Sequence, residues 1–203
     1  MRTLYTNQNP EQLAEIELPP LFHGRYNIAP TQPVAAIRQA TPDKAEECIW
    51  GFEAESLVIN ARFETLWERP MFRDLADSNR CLIPADGFYE WKGRQPYYFQ
   101  LPDKTLFAFA GLWRDTRCVV ITRAADRNMQ GIHNRMPVII PHDRWETWLL
   151  PPKSAAPKPT AVSLDATLPP PSLTARPVSM RVNKVANDDP CCLDPGEVQA
   201  ELF

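Results

Sequence analysis

The chain has few histidines and glycines, and its cysteines are not spaced as metal ligands. Three histidines and seven glycines occur in 203 residues. No two of the five cysteines have the gap of about two to four residues found in zinc knuckles. Cys191 and Cys192 are adjacent, which is poor geometry for a disulfide. We therefore expect five reduced thiols, no structural metal and no cofactor.

A long apolar run and an excess of basic charge are also missing. No stretch of about 18 apolar residues exists, and the N-terminus has no apolar signal core. The expected protein is cytoplasmic, with no membrane partner. The net charge of −3 excludes a global attraction to nucleic acid, so DNA binding would need a local basic patch. With 44% hydrophobic residues the chain can form one globular domain over residues 1–203, and we expect a monomer.

Proline is abundant, at 22 residues, and much of it lies between residues 149 and 177. Helix and central strand are disfavoured there, which predicts a Pro-rich surface excursion at about 150–177. The alternation of residues 177–182 predicts a strand that returns to a sheet.

The remaining segments predict a chain of many short strands and few helices. Short apolar or alternating segments predict strands over 34–38, 57–60, 80–83, 97–101, 106–112 and 118–122. Short helices are predicted over 9–16, 70–77 and 141–150. This pattern indicates an α+β fold, β-rich, with a curved, barrel-like sheet.

A carboxylate lies in an apolar segment at Glu90, between the aromatic residues Tyr89 and Trp91. Burying an ionised carboxylate without a partner is costly, so such a residue has a fixed cation beside it or a raised pKa. A raised pKa is what a general acid or base requires. The alternative is a strand-end ion pair with Lys92, which would contribute little.

Asn60 and His133 also lie in otherwise apolar surroundings. The amide of Asn60 could orient an amine or a hydroxyl group, or it could cap a turn. His133 could act as a general acid or base near neutral pH, or it could be a structural residue beside Asn134.

Two arginines follow these polar residues at the same spacing. Arg62 and Arg135 lie two positions after Asn60 and His133. In an extended segment that spacing puts both side chains on one face, where the arginines could bind phosphate oxygens. Scattered arginines such as Arg69 more often belong to a solvated surface.

Five segments together resemble one family. They are 24–31 (GRYNIAPT), 59–65 (INARFET), 85–91 (ADGFYEW), 132–137 (IHNRMP) and 177–183 (PVSMRVN). In this order they resemble the SOS response-associated peptidase (SRAP) family, also called abasic site processing proteins. The resemblance covers most of the chain and implies an SRAP-like fold.

The resemblance also implies a function and roles for particular residues. Family members bind single-stranded DNA containing abasic sites and form a covalent protein–DNA crosslink there, with an associated autoproteolytic activity. By motif match Asn60 would position the N-terminus, Glu90 would move protons, and His133 would assist ring opening or imine chemistry. The DNA-binding residues would be Arg2, Arg62, Arg69 and Arg135. Imine formation needs proton transfer near neutral pH, which suits these residue types.

The chain departs from the family pattern at two points. The family begins Met-Cys-Gly-Arg, and its N-terminal cysteine closes a thiazolidine with the sugar, whereas this chain begins Met1-Arg2-Thr3. We expect Met1 to be retained, because its removal favours a small second residue, and we expect no thiazolidine. In addition, residues 52–56 are short and acidic where the family carries a tryptophan loop, which weakens base stacking and repels phosphate.

Three hypotheses follow. The first is an SRAP-type crosslinking enzyme, which requires an N-terminal cysteine in the native protein. The second is a diverged member that binds single-stranded DNA non-covalently. The third is a thiol-independent peptidase acting on other proteins, which ranks last because no nucleophile is paired with His133 by a recognisable motif.

Overall fold

The computed structural model describes residues 24–127, 129–149 and 169–196, and the backbone of residues 2–5. The strands in these residues are β1 Arg2–Tyr5, β2 Arg25–Ile28, β3 Pro33–Arg38, β4 Thr41–Trp50, β5 Asn60–Arg62, β6 Arg80–Ala85, β7 Gly87–Lys92, β8 Gln95–Gln100, β9 Phe107–Arg114, β10 Arg117–Ala124, β11 Arg135–Pro137, β12 Ile139–Pro141 and β13 Thr174–Pro177. The helices are α1 Leu75–Ser78, α2 Trp145–Leu149 and the 3-10 turns Phe63–Thr65, His142–Arg144, Met180–Asn183 and Pro190–Leu193. This confirms the β-rich α+β class.

One sheet closes on itself around β10. The order β10-β4-β3-β6-β9 returns to β10, because β10 pairs with β4 in parallel and with β9 antiparallel. The ring is uneven. Beyond Val120 the strand β10 leaves both partners and pairs instead with β5 on one side and β11 on the other. The predicted barrel-like sheet is therefore present, with one irregular edge.

The second sheet has five strands in the order β13-β8-β7-β1-β2. The chain passes from the ring to this sheet between β6 and β7, through the single residue Asp86. Gly87 begins β7 where a Cβ atom would lie 2.3 Å from the Tyr98 ring, so a side chain at this position would clash. The crossing brings β7 over the irregular edge of the ring.

Both faces of the ring strands β3, β6, β9 and β10 are buried, which explains their continuous apolar runs. Along β3, Ala35 and Ile37 belong to one apolar cluster, and Val34 and Ala36 belong to the other. The first cluster also contains Trp145, Trp148 and Leu149 of α2. The second contains Phe88 of β7 and Phe99 of β8, so it joins the two sheets. The successive side chains of each strand thus stabilise two different cores.

The segment after β13 packs against β2. The side-chain nitrogen Nδ2 of Asn27 donates hydrogen bonds to the backbone carbonyls of Val182, Lys184 and Asn187 at 2.8–3.0 Å. The carboxylate of Asp188 pairs with Arg25 and accepts from the backbone nitrogen of Asn27 at 2.9 Å. Two of the segments behind the family resemblance, 24–31 and 177–183, therefore meet in a structural contact.

The predicted strands at 34–38, 80–83, 97–101, 106–112 and 118–122 correspond to β3, β6, β8, β9 and β10. The predicted strand at 57–60 was placed too early, since β5 begins at Asn60 and Val58 makes only an isolated bridge to Phe52. The returning strand was placed too late. It is β13, which ends at Pro177, and a 3-10 turn over Met180–Asn183 follows it.

Helix prediction was less accurate. The helix predicted at 70–77 is α1, which begins only at Leu75, because residues 65–73 form successive turns. The helix predicted at 141–150 is split into a 3-10 turn and α2. The long strand β4 was not predicted, because its first half carries charged residues on an exposed face. The predicted helix at 9–16 and residues 150–168 of the Pro-rich excursion lie outside the described residues.

Candidate active site

A polar cavity of about 310 Å³ lies where the irregular edge of the ring meets the second sheet. The lining residues are Asn60, Arg62, Glu90, Thr122, His133, Arg135, Met136 and Pro137. The set includes all three residues predicted to be catalytic and two of the four predicted to bind DNA. Asn60, Glu90 and His133 lie 30 and 43 positions apart in sequence, and only the folded chain brings them together.

The strands β5, β10 and β11 form one wall of the cavity. Arg62 lies opposite Thr122 in the parallel pair, and Thr122 lies opposite Pro137 in the antiparallel pair. Residues opposite one another across a sheet point to the same face, as do residues two apart along a strand. Asn60 and Arg135 therefore share the face of Arg62, Thr122 and Pro137. The spacing argument from the sequence predicted this arrangement for Asn60 and Arg62.

Glu90 enters the cavity from the other sheet. On β7 its side chain shares a face with Phe88, which packs against the ring, whereas Tyr89 packs in a separate cluster with Val178 and Val182. Only 6% of Glu90 is exposed. Burial raises the pKa of this carboxyl above its ordinary value. A buried carboxyl with a raised pKa is the environment that a general acid or base requires, and the catalytic role of Glu90 stays a prediction.

Asn60 offers an open hydrogen-bond acceptor. Its Oδ1 atom is buried and accepts no hydrogen bond from any residue that the structure describes. A buried amide oxygen without a donor costs free energy, and such atoms are uncommon in native structures. The oxygen is therefore suited to receive an N–H or O–H group from a bound molecule.

His133 is held by the main chain of Arg135. Its Nδ1 atom lies 2.9 Å from the carbonyl oxygen of Arg135 and 3.2 Å from its backbone nitrogen. The carbonyl can only accept and the backbone N–H can only donate, so the two contacts favour opposite tautomers; we assign the proton to Nδ1 because the contact with the carbonyl is the shorter one, and this leaves a lone pair on Nε2. An imidazole in this state can accept a proton at Nε2.

The two arginines of the cavity differ in their partners. Nη1 and Nη2 of Arg135 donate to the two carboxylate oxygens of Glu64 at 2.7 and 2.8 Å, and Nη2 also donates to the Thr122 carbonyl at 2.7 Å. Burial raises the pKa of Glu64, but its bonds to Arg135 outweigh this and hold the pKa below the usual range. Arg62 is exposed, and within the described part of the chain its guanidinium has no hydrogen bond or ion pair.

The other two predicted DNA contacts lie elsewhere. Arg69 is exposed in the turns after β5 and does not line the cavity. The backbone of Arg2 belongs to β1, opposite Tyr89 of β7, and its side chain is outside the described residues. Residues 52–56 replace the tryptophan loop expected from the family resemblance. Here Phe52 is fully buried and cannot stack on a base, and Glu53 pairs with Arg117.

Sequence reasoning did not identify Glu64 or Thr122 as site residues. Glu64 follows Arg62 in the motif at 59–65, and its ion pair to Arg135 depends on a contact across 71 positions. Thr122 lies in an apolar strand, where a hydroxyl residue carries no signal of its own. In the described ranges no three His, Cys, Asp or Glu residues are grouped as metal ligands, and no helix there is long and apolar enough to cross a membrane.

The fold matches solved structures over most of its length. A Bordetella bronchiseptica protein has a TM-score of 0.68 at 23% identity, covering 88% of this chain and 99% of that one. A phage-related protein of the same organism has a TM-score of 0.65 at 26% identity, covering 87% and 93%. These matches show that the chain shares its β-rich fold with known structures.

The family follows from the sequence comparison. Residues 2–185 match the model of the SOS response associated peptidase (SRAP) family, and the chain belongs to that family. It is similar to the abasic site processing protein YoaM of Bacillus subtilis, with 37% identity over 64% of this chain and 67% of YoaM. Escherichia coli YedK, also named an abasic site processing protein, is 25% identical over 85% of each chain. Chicken HMCES, of the same description, is 30% identical over 68% of this chain and 50% of HMCES.

Proposed function

We propose that this chain binds single-stranded DNA at abasic sites and processes them by imine chemistry in the cavity between β5, β7 and β11. The observation that carries the proposal is the buried Glu90 carboxyl, with a raised pKa, in a cavity that also contains His133 and Asn60. Relatives at up to 37% identity are named abasic site processing proteins, which supports this substrate. Arg62 is the proposed phosphate ligand, because its guanidinium is exposed and unoccupied within the described residues.

The chemistry requires a primary amine, an aldehyde, two proton transfers to the carbonyl oxygen and one from the amine. The amine attacks the aldehyde carbon of the ring-opened sugar, a C–N bond forms, and the carbonyl oxygen takes a proton. A second proton then lets that oxygen leave as water while the C=N bond forms. Protonated Glu90 can supply the first of these protons. Nε2 of His133 can accept the proton that the amine releases and then give it to the leaving oxygen as the second proton, so the product is a protonated imine and Glu90 is left as a carboxylate.

The amine is proposed to come from the segment ahead of Arg2. The strand β1 pairs with β7 so that Arg2 lies opposite Tyr89, the residue before Glu90. The open acceptor of Asn60 is the proposed partner for an N–H of that amine. A thiol beside the amine would close the imine to a thiazolidine, as the family resemblance implies, and residue 2 of this sequence is arginine.

A denaturing gel tests the covalent step. The chain as printed, and a form with Cys-Gly inserted after Met1, are incubated with a single-stranded oligonucleotide carrying one abasic site, with and without borohydride. We expect a borohydride-dependent shifted band for the first form and a borohydride-independent band for the second. Mass spectrometry of the inserted form shows whether Met1 is removed, which tests the proposed autoproteolytic step. The absence of any shifted band in either form would contradict the proposed chemistry.

Non-covalent binding is the second candidate, and one observation favours it. The described residues lining the cavity include no cysteine and no serine, so within this set no thiol and no seryl nucleophile is available. An oligonucleotide with a tetrahydrofuran in place of the abasic sugar has no aldehyde and reports binding alone. Equal affinity for the two oligonucleotides, without trapping, would favour this candidate over imine formation.

A further inference from the structure

Glu64 connects three elements at the irregular edge of the ring. It lies in the 3-10 turn Phe63–Thr65 that follows β5. Its two carboxylate oxygens accept from both Nη atoms of Arg135 at 2.7 and 2.8 Å, and its Oε1 also accepts from the backbone nitrogen of Ala124 at 3.2 Å. A two-point pair of this kind fixes the orientation of a guanidinium group. Glu64 therefore joins the turn after β5 to β10 and to β11.

The first residue of β11 in turn orients the His133 imidazole. The pairing of β11 with β10 covers three residue pairs and ends at Ala124 and Arg135. His133 and Asn134 lie outside this ladder, although the Asn134 carbonyl accepts a hydrogen bond from the backbone nitrogen of Ala125 at 3.1 Å. The backbone of His133 is bonded to Met129, but its ring nitrogen Nδ1 meets only the main chain of Arg135 among the described hydrogen bonds.

We propose that Glu64 is a positioning residue that acts on His133 through Arg135. By holding the Arg135 side chain, Glu64 fixes the end of β11, and the Arg135 carbonyl then keeps the proton of His133 on Nδ1 and the lone pair on Nε2. The proposal rests on the proposed function, in which His133 accepts a proton from the attacking amine. Glu64 itself need not touch the DNA.

A purely electrostatic role for Glu64 makes the opposite prediction. The Glu64 side chain is 34% exposed and its carboxylate contacts Arg135, which lines the cavity. Its negative charge therefore lies close to the cavity. If Glu64 only repelled phosphate, its neutralisation would strengthen DNA binding and leave the chemical step intact. A positioning residue instead slows the chemical step without weakening binding.

The variant Glu64→Gln separates the two roles. We expect the single-turnover rate of borohydride trapping to fall about tenfold, because a small displacement of a catalytic group is costly. We expect the affinity for the tetrahydrofuran oligonucleotide to be unchanged or higher. Nitrogen-15 NMR of the imidazoles should show the Nδ1-protonated form of His133 in the parent protein and a mixture of tautomers in the variant. His142, which packs on Trp145, is the internal control.

Two further variants complete the test. Glu68→Gln makes the same charge change at an exposed position four residues further on, and it should change neither the rate nor the His133 signals. Arg135→Lys keeps the charge but cannot form the two-point pair, so it should slow trapping to a similar extent as Glu64→Gln. The double variant should be no slower than the slower of the two single variants, because both substitutions break the same Glu64–Arg135 contact. If Glu64→Gln fails to fold, Arg135→Lys decides the question.

Trapping at the parental rate in Glu64→Gln, with unchanged His133 signals, would overturn the positioning role and leave the proposed function standing. A parent protein that binds abasic DNA but gives no trapped product would remove the proposed chemistry, and the positioning role would fall with it. The two failures are distinguished by the parent lane of the same gel.

Discussion

Arg62 and Arg135 occupy equivalent places and have different surroundings. Both follow a polar site residue by two positions, both line the cavity, and they lie on opposite sides of β10, at Thr122 and Ala124. Arg62 is exposed, with no partner among the described residues, whereas Arg135 uses both Nη atoms on Glu64 and Thr122. The side chain of Arg135 is 22% exposed.

The difference shows what the two-residue spacing can predict. It predicts which face of the sheet a side chain is on, but not whether its guanidinium is already bound to a partner in the protein. Sequence reasoning assigned phosphate binding to both arginines, and both assignments remain predictions. The free guanidinium of Arg62 can take a phosphate in two-point geometry. Among the described residues, only one N–H on Nη1 of Arg135 and the N–H on its Nε have no acceptor. Arg135 should therefore contribute less to DNA binding than Arg62 does.

The largest effect should come from Glu90, which lies across the cavity from both arginines. We expect Glu90→Gln to lower the borohydride-trapping rate about 100-fold, the usual size of a lost general acid or base. Affinity for a tetrahydrofuran oligonucleotide should stay within about twofold, because Gln keeps the shape of the side chain. This result would assign the chemistry to the β7 side and the phosphate contacts to the β10 side. A parallel loss of affinity would show that Glu90 acts in binding instead.

Arg62→Ala should have the largest effect on binding. Loss of a free phosphate ligand should weaken single-stranded DNA binding about tenfold and reduce the salt slope by about one. Fluorescence anisotropy over a range of salt concentrations measures both. Arg73→Ala, an exposed arginine outside the cavity, is the matched control. An unchanged slope for Arg62→Ala would remove Arg62 from the phosphate contacts.

Arg135→Ala should act more on stability than on binding. It leaves the Glu64 carboxylate without its partner, and we expect the free energy of unfolding to fall by about 1–2 kcal/mol, a value reduced by the partial exposure of both groups. The salt slope should change less than in Arg62→Ala. Urea denaturation followed by tryptophan fluorescence gives the stability. A stable variant with a slope change as large as that of Arg62→Ala would make the two arginines equivalent.

The smallest expected effect is on the pH dependence of stability. Because burial raises the pKa of Glu90, the folded state binds more protons than the unfolded state above the ordinary carboxyl pKa. The stability associated with Glu90 is therefore present below that pKa and is lost as pH rises through the folded value. Glu90→Gln should melt at a higher temperature than the parent near pH 7, with a smaller difference near pH 4. A lower melting temperature near pH 7 would show that ionised Glu90 stabilises the fold.

The parts of the fold that sequence predicted share a simple local signal. Strands β3, β6, β9 and β10 are short apolar segments buried on both faces, and all four were found. The strand β4 was missed because its first half has three consecutive exposed residues, Pro42, Asp43 and Lys44, and α1 was placed too early because turns precede it. The local sequence does not show which neighbouring strand supplies the backbone hydrogen bonds of a segment that lacks an apolar pattern.

The candidate site divides in the same way. Asn60, Glu90 and His133 were found because a polar residue inside an apolar segment is visible in the sequence, and all three line one cavity. Glu64 and Thr122 were not found, since an acidic residue near an arginine and a threonine in a strand are both common.

By itself the sequence determined the β-rich class, the family resemblance and the identity of the three polar residues that line the cavity, because these depend on residue type and on short spacings. Only the tertiary structure decided which arginine is free, why the Glu90 pKa is raised and what orients His133. Those properties arise from contacts between β5, β7, β10 and β11, which are distant in the chain. Burial and ion pairing depend on such contacts rather than on neighbours in sequence.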